Sequence, residues 1–302
     1  MRVLLAGGSG VLGQQIVAAL RADGQEVATL GRGAGNDLRA DLLDRDAVLR
    51  AVEGLRFDAV VHAATGLSGK KLTRHADMEP TDVLRRLGTP NLIEAARATG
   101  ARRLVAESMM FGYGYGDHGD RPLVEDVDLF GPPGASPELE RHVGAMRVKE
   151  QLMLNAEGME GVALRFGLFY GPGVTDQLVV PMLRKRMLPG IADHGRRLAW
   201  TAVPDAARAV VAALHHGRAG QAYNIADDEA VGWTEHLRAI ASAYGTPQPM
   251  TVPLWLVRPL APLGSVAMTT NLRLDNGKAR TELGWKPTHR DCLASVRAGL
   301  GR

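Results

Sequence analysis

The sequence predicts an α/β fold built on a doubly wound parallel sheet. Three observations carry this: short apolar runs without polar alternation, segments of helical period between them, and a glycine run directly after the first. Val3-Leu4-Leu5-Ala6 is the first apolar run, ended by Gly7 and Gly8. Residues 12–22 then place Leu12, Ile16, Ala19 and Leu20 at helical spacing. Residues 26–30, 58–62, 103–107 and 161–165 read as further strands, and 47–52, 81–99 and 137–156 as the helices between them. Near-continuous apolar strands alternating with helices imply a parallel sheet buried on both faces. The doubly wound, Rossmann-type sheet is the natural solution.

The second half is less regular. Residues 167–173 read as a loop rich in glycine and aromatics, 204–215, 233–244 and 276–283 as helices, and 222–225 as a strand. The expected division is a dinucleotide-binding domain over 1–166 and a smaller C-terminal substrate lobe, mainly 167–302. The chain is expected to return to the first domain at 200–226. No internal repeat or low-complexity linker interrupts it.

Composition narrows the function class. The 302 residues are 45% hydrophobic and 23% charged with a formal net charge of +3, ordinary for a soluble globular protein. The basic runs Arg184-Lys185-Arg186 and Arg196-Arg197 are short and scattered, as solvated surface is. With no zinc spacing, basic tail or aromatic-studded basic strand, nucleic acid is not the expected partner. The apolar stretch 253–268 is broken by Arg258 and three prolines, so no membrane span is expected. His215 and His216 are adjacent and would diverge on a helix, so no metal site is expected. Cys292 is the only cysteine, which excludes an internal disulfide, fits a reducing cytoplasmic setting and reads as packing material.

The run Gly7-Gly8-Ser9-Gly10-Val11-Leu12-Gly13 follows a strand and opens a helix, the context a dinucleotide site requires. Gly7 permits the tight turn, Gly10 a close approach of backbone to pyrophosphate, and Gly13 close packing of helix on strand. The amides of Val11 and Leu12 at the helix N-terminus would face the phosphates. The second strand ends Thr29-Leu30-Gly31-Arg32, with no carboxylate for a ribose 2′-hydroxyl. Arg32 could pair with a 2′-phosphate through its planar fork, which favours NADP(H) over NAD(H). Asp41 and Leu42 would flank the adenine, and Ala63, Ala64 and Thr65 would lie along the cofactor.

These features, with Arg103-Leu104-Val105-Ala106-Glu107-Ser108, residues 164–173 and the stretches from Val203, Ala222 and Lys278, resemble the extended short-chain dehydrogenase/reductases of the NAD-dependent epimerase/dehydratase family. The resemblance covers nearly the whole chain. It implies a C-terminal substrate lobe, hydride transfer at C4 of a nicotinamide, and a small-molecule substrate. It also implies a homodimer through the helices 81–99 and 137–156.

The resemblance further implies a serine and a tyrosine four residues before a lysine, and here the pattern departs. Ser108 stands at the serine position and would polarise the reacting oxygen. If Lys149 is the lysine, the tyrosine position is Ala145. If the following helix is aligned on Glu150, the tyrosine position is His142 and the lysine position Met146. Neither alignment gives an intact dyad, and the second needs no gap before the strand ending at Arg165. An imidazole is the side chain suited to proton transfer near neutrality, so His142 could serve as acid or base, and Lys149 could still bind ribose. Tyr113, Tyr115 and His118, in the glycine-rich loop after Ser108, could supply the missing proton, and Tyr170 could line the nicotinamide pocket. The expected function is an NADP(H)-dependent oxidoreductase acting on a carbonyl or hydroxyl of a small molecule. The alternatives are a non-redox isomerase, lyase or cyclase, and an NADP(H)-sensing binding protein.

Overall fold

The computed structural model describes residues 1–67 and 72–301. Seven parallel strands form one sheet: β1 (Arg2–Ala6), β2 (Glu26–Gly31), β3 (Leu38–Arg39), β4 (Ala59–His62), β5 (Arg103–Met109), β6 (Glu160–Phe166) and, last in the chain, Gln221–Ile225. The order β3-β2-β1-β4-β5-β6 continues into that last strand, so the winding reverses between β1 and β4. Ala6 lies opposite both Leu30 and His62, and His62 opposite Ala106, so these strand ends share one edge with a crevice at the reversal.

Alternation along each strand feeds two cores. Val3 and Leu5 pack with Ile16 and Leu20 of α1 (Val11–Ala22) on one face. Leu4 and Ala6 pack on the other face with Val48 of α2 (Arg45–Val52). Two buried faces explain the lack of polar alternation in β1 and β4. The expected helix 81–99 begins earlier and is interrupted: α3 (Glu79–Val83) passes through a π-turn, Leu84–Gly88, into α4 (Thr89–Thr99). Thr89 Oγ1 donates to the Arg85 carbonyl at 2.7 Å inside this turn. The next helix, α5 (Pro137–Leu154), is capped by Ser136, whose hydroxyl accepts from the Leu139 amide. β5 runs two residues further than expected because β6 accompanies it to Met109 opposite Phe166.

The remaining chain builds the smaller lobe and returns once to the sheet. Part of the expected loop 167–173 is a strand, β7 (Leu168–Tyr170), which is followed by α6 (Val180–Arg184) and pairs in parallel with β8 (Trp200–Ala202). Three residues are too few for a period to show. α7 (Val203–His216) packs on α1, and β9 (Gln221–Ile225) is the sheet's seventh strand. α8 (Trp233–Tyr244), α9 (Leu254–Leu260), α10 (Pro262–Thr269), α11 (Gly277–Glu282) and α12 (Cys292–Arg297) complete the chain. Among the described residues no helix is long and apolar enough to cross a membrane.

A polar pair lies inside the smaller lobe. Tyr170, expected to line the nicotinamide pocket, is buried instead and donates to Asp227 Oδ2 at 2.7 Å. Burial pushes the Asp227 carboxyl up to about 8, against the lowering effect of the Tyr170 hydrogen bond. A raised carboxyl favours folding fully below its unfolded value near 4, and that contribution is lost as pH rises through about 8. Asp227→Asn removes this loss. Its thermal midpoint should therefore gain on the parent by roughly 5 °C between pH 5 and pH 9, measured by calorimetry. An unchanged difference across that range contradicts a neutral Asp227.

Candidate active site

The loop after β1 is shaped by what its glycines exclude. Gly7 has φ +93°, and a Cβ there would lie 2.6 Å from the Ala64 backbone. A Cβ on Gly13 would stand 2.1 Å from the Gly7 carbonyl. Gly10 is different: a Cβ there would meet only the Gly7 carbonyl, at 3.5 Å, leaving space above it. Gly10 is the N-cap of α1 and supplies no side-chain cap, and no acid lies in the first turn. The amides of Val11 and Leu12 thus begin a helix whose positive end is uncompensated, which fits a pyrophosphate. Gly173, in the loop after β7, closes over this point against Val11.

The cofactor-side expectations fall along one edge. Arg32 extends from the end of β2 with its side chain 69% exposed, and its nearest acid is Asp41 at 3.9 Å. Asp41 turns its own carboxylate onto the Leu43 amide, and Leu42 is buried beside α4. Ala63 and Ala64 are buried immediately after β4, and Thr65 is exposed.

Lys149 reaches the same edge from α5. Its Nζ donates to Glu107 Oε2 at 2.8 Å and to the His62 carbonyl at 3.2 Å. Burial lowers the pKa of Lys149, and Glu107 opposes that shift. Ala145, one turn earlier, is fully buried. His62 is also buried. The Thr89 hydroxyl spends its proton on the Arg85 carbonyl, so His62 Nε2–H donates to Thr89 Oγ1. Burial, then Lys149 and Arg85, keep this imidazole well below its usual pKa, hence neutral.

Other catalytic expectations are placed elsewhere. His142 is buried with both ring nitrogens engaged: Nδ1 donates to Asp82 Oδ2 at 2.5 Å, and Nε2 meets His75 Nδ1 at 3.0 Å. It has no free edge for a substrate. Ser108 donates to Glu150 Oε2 at 3.0 Å. Arg165 donates from Nε to Glu150 Oε1 at 3.0 Å and from Nη1 to Tyr113 Oη at 2.8 Å. Tyr113 in turn donates to Asn224 Oδ1 at 2.9 Å. Ser108 and Tyr113 therefore belong to a buried network joining β5, α5, β6 and β9, which occupies the hydroxyls expected over the substrate. His118 lies against the Gly114 carbonyl. Tyr115 lies in the field of Arg85 and Asp82. Burial raises its phenol above the usual range, while Arg85 lowers it and Asp82 raises it.

Glu107, Asp82 and Arg85 were not singled out in the sequence. A signal existed for Glu107, an acid within an apolar strand. None existed for Asp82, whose partner His142 lies 60 residues away, or for Arg85, because the π-turn that sets its facing has no sequence signature.

The network yields a contrast. Glu150→Ala leaves Arg165 buried without its counter-charge and should cost about 3–5 kcal/mol in chemical denaturation. Ser108→Ala should cost about 1 kcal/mol and leave affinity for the nicotinamide cofactor unchanged. A Ser108→Ala protein of parental stability that has lost turnover would instead give Ser108 a chemical role.

Comparison with known proteins agrees with this architecture. The sequence model of the NAD dependent epimerase/dehydratase family matches residues 3–226. The chain is 37% identical, over the full length of both, to the 3-diazoavenalumate denitrifying reductase of a Streptomyces species. It is 31% identical to the 2-alkyl-3-oxoalkanoate reductase of Stenotrophomonas maltophilia, over 82% of this chain and 77% of that one. The crystal structure of Thermus thermophilus UDP-glucose 4-epimerase in complex with NAD superposes with a TM-score of 0.74 at 27% identity, covering 99% of this chain and 100% of that one. The relatives are reductases and an epimerase, so this chain is an enzyme of that type, built to hold a nicotinamide cofactor. It belongs to the NAD dependent epimerase/dehydratase family.

Proposed function

We propose that the chain is an NADP(H)-dependent reductase of a small organic acid and that its hydride transfer runs without a tyrosine acid. One observation carries the reading: Lys149 is seated at the carboxyl edge of the sheet, and the residue one turn before it is Ala145. Gly10, Val11 and Leu12 would hold the pyrophosphate, and Arg32 the 2′-phosphate. Asp41 and Leu42 would flank the adenine, Ala63, Ala64 and Thr65 would line the cofactor, and Lys149 would bind ribose. A bound nicotinamide would supply hydride from C4. Lys149 uses two of its three donors within the protein, which leaves one for a ribose hydroxyl.

Ala145 has no proton to give. A carbonyl that accepts hydride needs a proton on oxygen. A carbon that loses dinitrogen does not: the C–N bond breaks with its electron pair leaving on N2, and the hydride pair forms C–H. The name of the Streptomyces relative, a denitrifying reductase of a diazo carboxylate, supports this acceptor class. The likeness to an epimerase in complex with NAD supports a second reading, in which the cofactor is recycled without net redox chemistry.

NADPH deuterated at C4 separates the readings when offered with an arenediazonium carboxylate and with a 3-oxo acid. The expected result is one NADPH consumed per N2 released, with deuterium on the carbon that lost nitrogen. Faster reduction of the 3-oxo acid would overturn the acid-free mechanism, and turnover without cofactor consumption would establish the second reading. Fluorescence titration tests the cofactor choice. NADPH should bind at least tenfold tighter than NADH, and Arg32→Ala should erase that difference of about 1.4 kcal/mol.

A further inference from the structure

Arg85 is a buried guanidinium that makes no hydrogen bond among the described residues. It is 3% exposed and sits in the π-turn between α3 and α4. Its Nη1 has no hydrogen-bond partner and meets only Asp82 Oδ1, at 3.6 Å. That oxygen is itself unpartnered, because Asp82 spends Oδ2 on His142. The other nearby acid, Glu107, is held by Lys149. Buried donors of this kind are rare, because each costs its full desolvation penalty unless something pairs with it. π-turns recur at functional sites, where the extra residue redirects a side chain.

Arg85 lies among the groups that the proposed function puts at the reacting centre. It acts electrostatically on His62, Glu107, Lys149 and Tyr115, which converge at the edge where the nicotinamide end of a cofactor would lie. His62 Nδ1, also buried and unpartnered, carries a lone pair and has no donor to offer. With the third donor of Lys149 assigned to ribose, the donors left free among the described residues are those of Arg85, with the phenol of Tyr115 beside them. Tyr115 stacks on Phe111 at 4.7 Å and is flanked by Gly114 and Gly116, both at positive φ.

We infer that Arg85 is the subsite for the substrate's carboxylate, taking the two oxygens of a planar anion on the N–H edge of its guanidinium that no described protein group satisfies. The fork geometry of arginine suits a carboxylate, which a lysine point charge would not hold in one orientation. Anchoring the acid here fixes the rest of the substrate relative to Lys149 and Ala145, so Arg85 sets both selectivity and register. This deepens the reductase reading and rests on it for the identity of the bound molecule as substrate.

The test is calorimetric binding to the full chain loaded with NADP+, using two matched pairs: cinnamate against cinnamamide, and hexanoate against hexanamide. At least one acid should bind tenfold or more tighter than its amide. Arg85→Gln should bring that acid down to the level of the amide, Arg85→Lys should recover part of the preference, and NADPH affinity should stay within twofold. Equal binding of acid and amide by the parent, a preference that survives Arg85→Gln, or no binding of any probe at about 10 mM would each overturn the inference. A tenfold loss of NADPH affinity in Arg85→Gln would overturn it too, giving Arg85 to the cofactor. A parent chain that fails to bind NADPH at all would sink the reductase reading separately. The acid and amide pairs, repeated on the cofactor-free protein, would still decide Arg85.

Discussion

The buried pair of Arg165 and Glu150 is the constraint on which the site depends. It locks α5 to β6, and Ser108 and Tyr113 extend the lock to β5 and β9. The guanidinium also lies 4.0 Å over the Phe130 ring, so its flat face is satisfied as well as its edges. Such a pair adds little net stability over an apolar substitute, yet removing either partner is costly. Its value here is positional. Lys149 is the next residue on the same helix, and fixing Glu150 fixes the lysine's approach to the carboxyl edge of β4 and β5.

Two neighbouring residues of α5 thus divide the work. Glu150 turns into the structural network, and Lys149 crosses to Glu107 and the His62 carbonyl. Opposite them, the π-turn places Arg85 beside Asp82 of α3, and Asp82 in turn meets His142 of α5, which also contacts His75. A regular helix would set Arg85 at a different angle, because the extra residue in the turn rotates what it carries.

The sheet, its winding and the glycine loop were legible because each rests on local rules. Apolar runs mark strands buried on both faces, as Val3–Ala6 shows, and Gly7 and Gly13 answer steric limits that act within one turn. The catalytic expectations at Ser108, His142 and Tyr113 rested on chain position alone. Position gives the element a side chain sits on, but not what its polar atoms meet. Ser108 alternates onto the face where Glu150 waits, and His142 meets Asp82 across 60 residues of sequence. β7 and β8 escaped because three residues show no period, and Arg85 because a π-turn leaves no mark in composition.

The departures at the site are coherent with one another. In a carbonyl reductase of this fold, a lysine's field lowers the pKa of a neighbouring phenol and steadies the negative charge growing on oxygen. On the proposed role of Lys149 the phenol's place falls to Ala145, and the lysine's charge is met directly by Glu107 at 2.8 Å. A carboxylate so close cancels most of the field that the missing tyrosine would have used. On that proposal, loss of the acid and neutralisation of its activator point the same way. On the proposed reading, what remains is a pocket that aligns a hydride donor and an acceptor, with the charge of Arg85 given to the substrate's carboxylate rather than to a growing oxyanion. Such a pocket suits an acceptor whose leaving group departs as a neutral molecule, since no charge then develops on the substrate for the protein to answer.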